Sequence, residues 1–210
     1  NWHGDAYRLE EDWRLDREIY PEFENLTQSL RNLGIQLMVY FNTFVFEAAE
    51  VFEEAHAQGF LVKDSSGEFV RFQGPNANFT HAGLIDLTNT AAREWVANEL
   101  RQALDYGARG WMADYAEWMP VDDVVLASGE DPALVHNRYP IMWQKLNEEV
   151  IEEAGLADEA IAFYRSGWMG SQPYARVIWA GDQNTDFDPN DGFPTILPLG
   201  IGLSATGFPF

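Results

Sequence analysis

Two aspartates that end apolar segments are the residues of this sequence best suited to chemistry. Asp114 follows the run GWMA, and Asp182 follows VIWAG much later in the chain. A buried strand normally ends in turn-forming residues, so an acid among aromatic side chains indicates either a ligand pocket or a solvated loop acid. A single acid at a strand end is more often a helix cap or a solvated loop residue, but two on separate strands beside tryptophan favour paired acid–base and nucleophilic chemistry.

Tryptophan is the second chemical signal. The chain has eight tryptophans, and the second half holds Trp111, Trp118, Trp143, Trp168 and Trp179. Sugar rings present apolar C–H faces that pack on indole, so this enrichment suits a carbohydrate pocket. The alternative is core packing, which we expect first for Trp95 and Trp143 because both lie within predicted helices. Two carboxylates in an aromatic cleft are the groups that glycoside hydrolysis requires.

Other chemistries have little support in the sequence. The chain has no cysteine, which excludes disulfides, thiolate metal sites and thiol nucleophiles. No serine lies in a nucleophile elbow and no glycine-rich phosphate loop follows a strand. The histidines show no paired ligand spacing, so we expect no metal and no cofactor. These histidines are His3, His56, His81 and His136.

Composition limits the partners. The apolar content of 46% over 210 residues suits one globular domain. The net charge of −21 would repel a phosphate backbone, so nucleic acid is excluded as a partner. No signal peptide and no apolar run that could span a bilayer is evident, which predicts a cytoplasmic protein without a membrane partner. The expected partner is a small-molecule glycoside, and a homo-oligomer stays open.

Helical and strand-like patterns alternate along the chain. A helix beginning near Phe23 ends at Gly34, and a second helix after residue 90 ends at Gly107. A third helical stretch, 131–155, is interrupted at Pro140. Residues 46–58 also look helical, whereas 60–82 predict a loop or small hairpin. Apolar runs typical of strands occupy 35–42, 83–90, 110–114, 160–166 and 176–183.

This alternation predicts an α/β fold with a parallel sheet covered by helices. Both a doubly wound sheet and a (β/α)8 TIM barrel satisfy it, but polar residues end five different strands, and a barrel gathers such ends into one mouth. We therefore favour the barrel. Complete barrels need about 250 residues, so we expect residues 1–210 to be a partial catalytic barrel, with about six or seven strands, of a longer protein. The five polar residues are Asn42, Asp86, Asp114, Arg165 and Asp182.

Several motifs resemble one known family. The segments WMADYAEWMP and YRSGWMGSQPYARVIWAGDQNTDF are similar to glycoside hydrolase family 31, the retaining α-glycosidases, and most similar to its bacterial sulfoquinovosidases. The resemblance extends to YPEFENLTQSLRNLGIQLMVYFN, GLIDLTNTAAREW and HNRYPIMW, in consistent order over most of the chain. It implies a (β/α)8 catalytic barrel without a cofactor.

The resemblance also implies roles for individual residues. It makes Asp114 the nucleophile and Asp182 the general acid/base, with Arg165, Trp179 and Glu117 around the sugar. Retaining chemistry requires the two carboxyl groups to lie about 5 to 5.5 Å apart. We expect burial against Trp179 to favour the protonated form of Asp182, and a cation such as Arg165 to keep Asp114 ionised.

The substrate class rests on fewer residues. Sulfoquinovosidases hold a sulfonate with an arginine and a tryptophan, and Arg8 stands near the expected arginine position. Glu11 departs from the pattern where the family has tryptophan, so Trp13 is the alternative counterpart. The leading hypothesis is hydrolysis of α-sulfoquinovosyl glycosides. An α-glucosidase or α-xylosidase of the same family, and a non-catalytic carbohydrate-binding protein or inactive fragment, are the alternatives.

Overall fold

The computed structural model describes residues 13–73 and 81–210, in which helices and strands alternate. The helices are α1 (Phe23–Asn32), α2 (Phe52–Ala57), α3 (Thr90–Asp105), α4 (Pro132–His136), α5 (Tyr139–Glu153) and α6 (Ile196–Ala205), the last preceded by a short 3-10 helix, Phe193–Thr195. The strands are β1 (Val39–Phe41), β2 (Phe44–Phe46), β3 (Arg71–Phe72), β4 (Ala82–Leu84), β5 (Gly110–Ala113) and β6 (Ile161–Tyr164). Within these ranges, no helix is long and apolar enough to cross a bilayer.

A parallel sheet in the order β1–β5–β6 forms the centre of the fold. Helices connect its strands, as the alternating pattern predicts. A single parallel bridge from Tyr164 to Ile178 continues the sheet, so the predicted strand 176–183 is reduced to one paired residue. The α/β class is confirmed, and the open parallel sheet is the arrangement expected of an incomplete barrel.

A second sheet, in the order β2–β4–β3, is antiparallel. The prediction that residues 83–90 add a parallel strand is therefore wrong, because β4 pairs antiparallel with β2 and β3. The helix predicted over 46–58 is confined to α2, since β2 already occupies residues up to Phe46. The hairpin predicted within 60–82 is present, with Lys63 opposite Phe69. The first error arises because an apolar strand pattern does not encode the direction of its partner, and the second because a local apolar pattern can fit helix and strand equally well.

The parallel sheet has two different faces. Side chains of Phe41, Trp111 and Tyr164 on one face are buried. Helix α5 packs against β6 on this side, and the Trp111 indole N–H donates to Asn147 of that helix. The opposite face is formed by half-buried residues that lie side by side in the sheet register. In a closed barrel this second face would point inward. Its members are Tyr40, Met112 and Phe163.

Local sequence explains the long helices and one tight contact. Asn89 caps α3 by accepting hydrogen bonds from the backbone N–H groups of Ala91 and Ala92. Pro140 lies in the first turn of α5 and therefore starts that helix, which separates it from α4. Gly110 has φ +130°, and a Cβ there would lie 1.9 Å from the Ile161 carbonyl oxygen. Only glycine fits where β5 meets β6.

The predicted core tryptophans are confirmed. Trp95 on α3 and Trp143 on α5 are both buried, and the two helices pack against each other. Trp111, which the sequence grouped with candidate sugar-binding residues, is also completely buried. Tryptophan enrichment in this chain therefore reflects the core as well as the site.

Two buried tyrosines provide a test of hydrogen bonding in this core. The Tyr139 hydroxyl donates to the Ile85 carbonyl oxygen at 2.6 Å, whereas the buried Tyr164 hydroxyl has no partner among the described residues. We expect Tyr139→Phe to destabilise the protein by about 1 to 2 kcal/mol and Tyr164→Phe to be neutral or stabilising by up to about 1 kcal/mol. Urea unfolding at constant m-value measures both. Equal losses in the two variants would contradict the expectation.

Candidate active site

The register of the parallel sheet aligns polar and aromatic side chains in one row. Ala113 pairs with Phe41 and Tyr164, and Tyr164 bridges Ile178. The Asp114 N–H donates to the Phe41 carbonyl at 2.8 Å, which continues the ladder by one residue beyond the strands. The next residue of each chain segment therefore falls on the inward face, at the C-terminal end of the sheet. The row consists of Asn42, Asp114, Arg165 and Trp179.

Asp114 is held by three groups around its carboxylate. The residue is only 8% exposed. Its Oδ2 accepts a hydrogen bond from the Tyr40 hydroxyl at 2.7 Å, and its Oδ1 accepts one from the Tyr115 N–H at 2.8 Å. The Arg165 Nε lies 3.4 Å from the same Oδ1. Asp114 is therefore not a solvated loop acid, because a buried carboxylate with a fixed cation and two donors is preorganised for chemistry.

The backbone after Asp114 adopts an unusual conformation. Tyr115 and Ala116 have φ angles of 60° and 83°, in the left-handed region that non-glycine residues rarely occupy. Each such residue costs about 1 to 3 kcal/mol, and such conformations cluster at functional sites. The Ser166 hydroxyl donates to the Tyr115 carbonyl at 2.6 Å and so anchors the turn to the segment after β6. This turn directs the Tyr115 N–H back to the carboxylate of Asp114.

Arg165 connects Asp114 with Glu117. Its Nε donates to Glu117 Oε1 at 2.9 Å, and its Nη2 donates to the same oxygen. Its guanidinium also lies 4.2 Å from the centre of the Tyr115 ring. Burial lowers the pKa of Arg165, but the hydrogen bond to Glu117 and the charges of Glu117 and Asp114 outweigh it and raise the pKa above its usual value. Arg165 therefore remains a cation at the site.

The pKa of Tyr115 is raised above its usual value by its surroundings. Burial is the largest cause of its raised pKa, and the carboxylates of Asp114, Glu117 and Asp182 raise it further while Arg165 lowers it. Asp182 therefore lies near the same group of residues. The side chain of Asp182 is exposed on a bend, so the expected burial against Trp179 is wrong. Trp179 instead packs edge-to-face against Phe163, with ring centres 5.3 Å apart.

A cavity of about 520 Å³ borders Arg165 and Glu117, a volume typical of small-molecule sites. Trp179 and Gly181, which precede Asp182, line its other side together with the apolar Leu203. The Glu117 Oε2 is inaccessible to solvent and has no hydrogen-bond partner in the described ranges. An unpaired carboxylate oxygen beside a cavity can accept a hydrogen bond from a ligand hydroxyl. Among the described residues, no group of three or more histidine or acidic side chains could hold a metal ion.

Two described residues singled out by the sequence, Asp86 and Trp13, do not join this cluster. Asp86 accepts a hydrogen bond from the Ala127 N–H at 2.7 Å and so anchors the loop before α4. Trp13, a candidate substrate-binding residue, is buried, and its indole N–H donates to the Phe44 carbonyl at 3.1 Å. Trp13 also stacks on Trp95 in the core, so its polar edge is already used. Arg8, like Glu11, lies outside the described residues.

Sequence reasoning missed Tyr40 and Tyr115. Tyr40 precedes Asn42 by two positions in β1, and period-2 alternation places both on the inward face, which is the signal that could have identified it. Tyr115 gives no such signal, because its position depends on the left-handed backbone after Asp114. Alternation gives only the face on which Tyr40 lies, and its contact with Asp114 becomes apparent from the register of β1 and β5.

The comparisons with known proteins agree with this architecture. Residues 2–210 match the family model of the glycosyl hydrolases family 31 TIM-barrel domain, and the chain belongs to this family. The barrel fold predicted from the pattern of strands and helices is thereby confirmed.

Two named proteins and one solved structure show which members of the family this chain resembles. The chain is 35% identical over 202 residues to the sulfoquinovosidase of Escherichia coli strain K12, covering 93% of this chain and 28% of that protein. It is 26% identical over 199 residues to an alpha-xylosidase of Emericella nidulans, covering 95% of this chain and 25% of that protein. A solved GH31 family sulfoquinovosidase from E. rectale, in complex with the aza-sugar inhibitor IFGSQ, superposes with a TM-score of 0.84 at 33% identity, covering 90% of this chain and 28% of that one. The chain thus spans less than a third of the length of these relatives.

Proposed function

We propose that residues 1–210 are the partial catalytic barrel of a longer retaining α-glycoside hydrolase. One observation carries the proposal: Asp114 is a buried carboxylate that Tyr40, the Tyr115 N–H and Arg165 hold at the C-terminal end of the parallel sheet. Barrel enzymes carry their chemistry at this end. The cavity beside Arg165 and Glu117 gives room for a sugar ring.

In the first step, an oxygen of Asp114 attacks the anomeric carbon while Asp182 donates its proton to the departing glycosidic oxygen. The bond to the aglycone breaks and a glycosyl ester of Asp114 forms. In the second step, Asp182 accepts a proton from water, whose oxygen displaces the Asp114 carboxylate. Two inversions at one carbon retain the α configuration. The required separation of about 5 to 5.5 Å between the two carboxyl groups stays a prediction.

Three further side chains suit sugar binding. Trp179 offers a half-buried indole face beside the cavity. Arg165 provides a permanent cation, and Glu117 Oε2 is an unused acceptor for a sugar hydroxyl. Binding energy from such contacts aligns the anomeric carbon with the nucleophile.

The proposed substrate is an α-sulfoquinovosyl glycoside. The support is the similarity to proteins named sulfoquinovosidases, at 35% and 33% identity, and to a solved one at 33%. Arg8 remains the proposed sulfonate-binding cation, because a guanidinium donates several hydrogen bonds to an anionic group. Trp13 can contribute only its ring to such a site, since its N–H is bonded to Phe44. The alpha-xylosidase relative at 26% identity supports a neutral α-glycoside as the alternative substrate.

The test uses the full-length enzyme with 4-nitrophenyl α-sulfoquinovoside, α-glucoside and α-xyloside at equal concentrations. We expect the highest kcat/KM for the sulfoquinovoside and an α-configured sugar as the first product seen by proton NMR. Faster turnover of a neutral sugar would replace the substrate assignment but leave the mechanism. A β-configured first product, or binding of all three glycosides without hydrolysis, would overturn the proposed function.

A further inference from the structure

We propose that Tyr40 is a positioning residue for the Asp114 carboxylate, held in its donating orientation by a hydrogen-bond chain that starts at the Phe44 backbone and passes through Asn42. This inference rests on the proposed function, in which Asp114 is the nucleophile. It concerns a contact between β1 and β5 rather than a contact with the substrate.

The first link fixes the side-chain amide of Asn42. The Phe44 N–H donates to Asn42 Oδ1 at 2.7 Å, at the start of β2. A backbone N–H can only donate, so the atom that it meets must be the amide oxygen and not the amide nitrogen. Asn42 is buried, and the tight connection between β1 and β2 therefore determines where its NH2 group points.

The second link fixes the hydroxyl of Tyr40. Asn42 Nδ2 lies 3.4 Å from the Tyr40 oxygen and can only donate to it. The phenol has a single hydrogen, which is then left for Asp114 Oδ2 at 2.7 Å. Each donor in the chain is thus assigned by the group before it. Such chains polarise one another and strengthen the final hydrogen bond.

The chain leaves both carboxylate oxygens of Asp114 oriented. Oδ2 receives the Tyr40 hydroxyl, while Oδ1 receives the Tyr115 N–H and faces Arg165. Tyr40 and Met112 are paired in the register and support Asp114 from the next row of the same face. The Tyr40 hydroxyl, as a donor to Oδ2, stabilises the carboxylate as it leaves the glycosyl ester in the second step.

The test is Tyr40→Phe in the full-length enzyme, with Tyr164→Phe as the matched control. Tyr164 lies in β6 of the same sheet, and its hydroxyl has no partner among the described residues to lose. We expect Tyr40→Phe to lower kcat by about 10- to 100-fold, the value of a charge-assisted hydrogen bond, with little change in KM. Tyr164→Phe should match the wild type in both readouts.

The outcomes separate this inference from the proposed function. Both constants are taken per folded enzyme, whose concentration circular dichroism measures, so the split between kcat and KM remains informative if Tyr40→Phe is less stable. A fall in kcat/KM that comes from a higher KM alone, wild-type behaviour of Tyr40→Phe, or equal effects of Tyr164→Phe would overturn the positioning role. In each of these cases, an inactive Asp114→Asn variant in the same assay leaves the proposed function standing, whereas an active one overturns both.

Discussion

Asp114→Asn in the full-length enzyme is expected to lower kcat by about 10⁴-fold or more, because an amide cannot form the glycosyl ester on which a double displacement depends. The isosteric amide keeps most of the packing of this buried residue. Initial rates on a 4-nitrophenyl α-glycoside measure the loss, and calorimetric titration with a non-hydrolysable sugar analogue measures binding. We expect binding to change far less than kcat.

A companion variant distinguishes a lost nucleophile from a damaged site. Asp114→Ala opens space beside Arg165 that a small anion can fill. With azide and an activated substrate, we expect hydrolysis to be replaced by formation of a glycosyl azide of inverted, β configuration, since azide then attacks where Asp114 attacked. Asp114→Asn with more than a tenth of wild-type turnover would contradict the nucleophile assignment.

Asp182→Ala is expected to have an effect that depends on the leaving group. An alkyl glycoside needs a proton on its departing oxygen, so its kcat/KM should fall by about 100- to 10,000-fold. A 2,4-dinitrophenyl glycoside leaves without protonation, so its kcat/KM should stay near that of the wild type. The ratio of the two kcat/KM values measures the role of Asp182 as general acid.

Asp188→Ala is the matched control for this experiment. Asp188 is another exposed acid of the same loop, and its removal changes the local charge equally. We expect both substrates to react as with the wild type. Equal losses for both leaving groups in Asp182→Ala would instead assign that residue a structural role.

The sequence was sufficient for elements whose pattern has one interpretation. Strands β5 and β6 are short apolar runs between a helix end and a polar residue, and both fall within their predicted ranges. Helix α3 carries its own start signal, because Asn89 has the side chain that caps a first turn. Where start, apolar face and stop agree, local sequence determines the element.

Pairing between distant segments could not be predicted as well from the sequence. The apolar segment at 82–84 gives no indication of whether its partner runs parallel or antiparallel, and here β2 and β3 pair antiparallel with it. The exposure of Asp182 was missed because the strand predicted at 176–183 pairs only at Ile178. The row containing Asp114 and Arg165 was inferred correctly as strand ends, but Tyr40 was not, since its partner lies on another strand.

The register of the parallel sheet also determines how far the loops around the site can change. Asp114 and Arg165 take their places from main-chain hydrogen bonds of β1, β5 and β6, which demand a particular residue type only at Gly110. Loops beyond these strand ends can therefore lengthen, shorten or change composition without displacing these two side chains. Replacement of the surrounding loops is therefore compatible with an unchanged pair of Asp114 and Arg165, provided that residue 110 stays glycine.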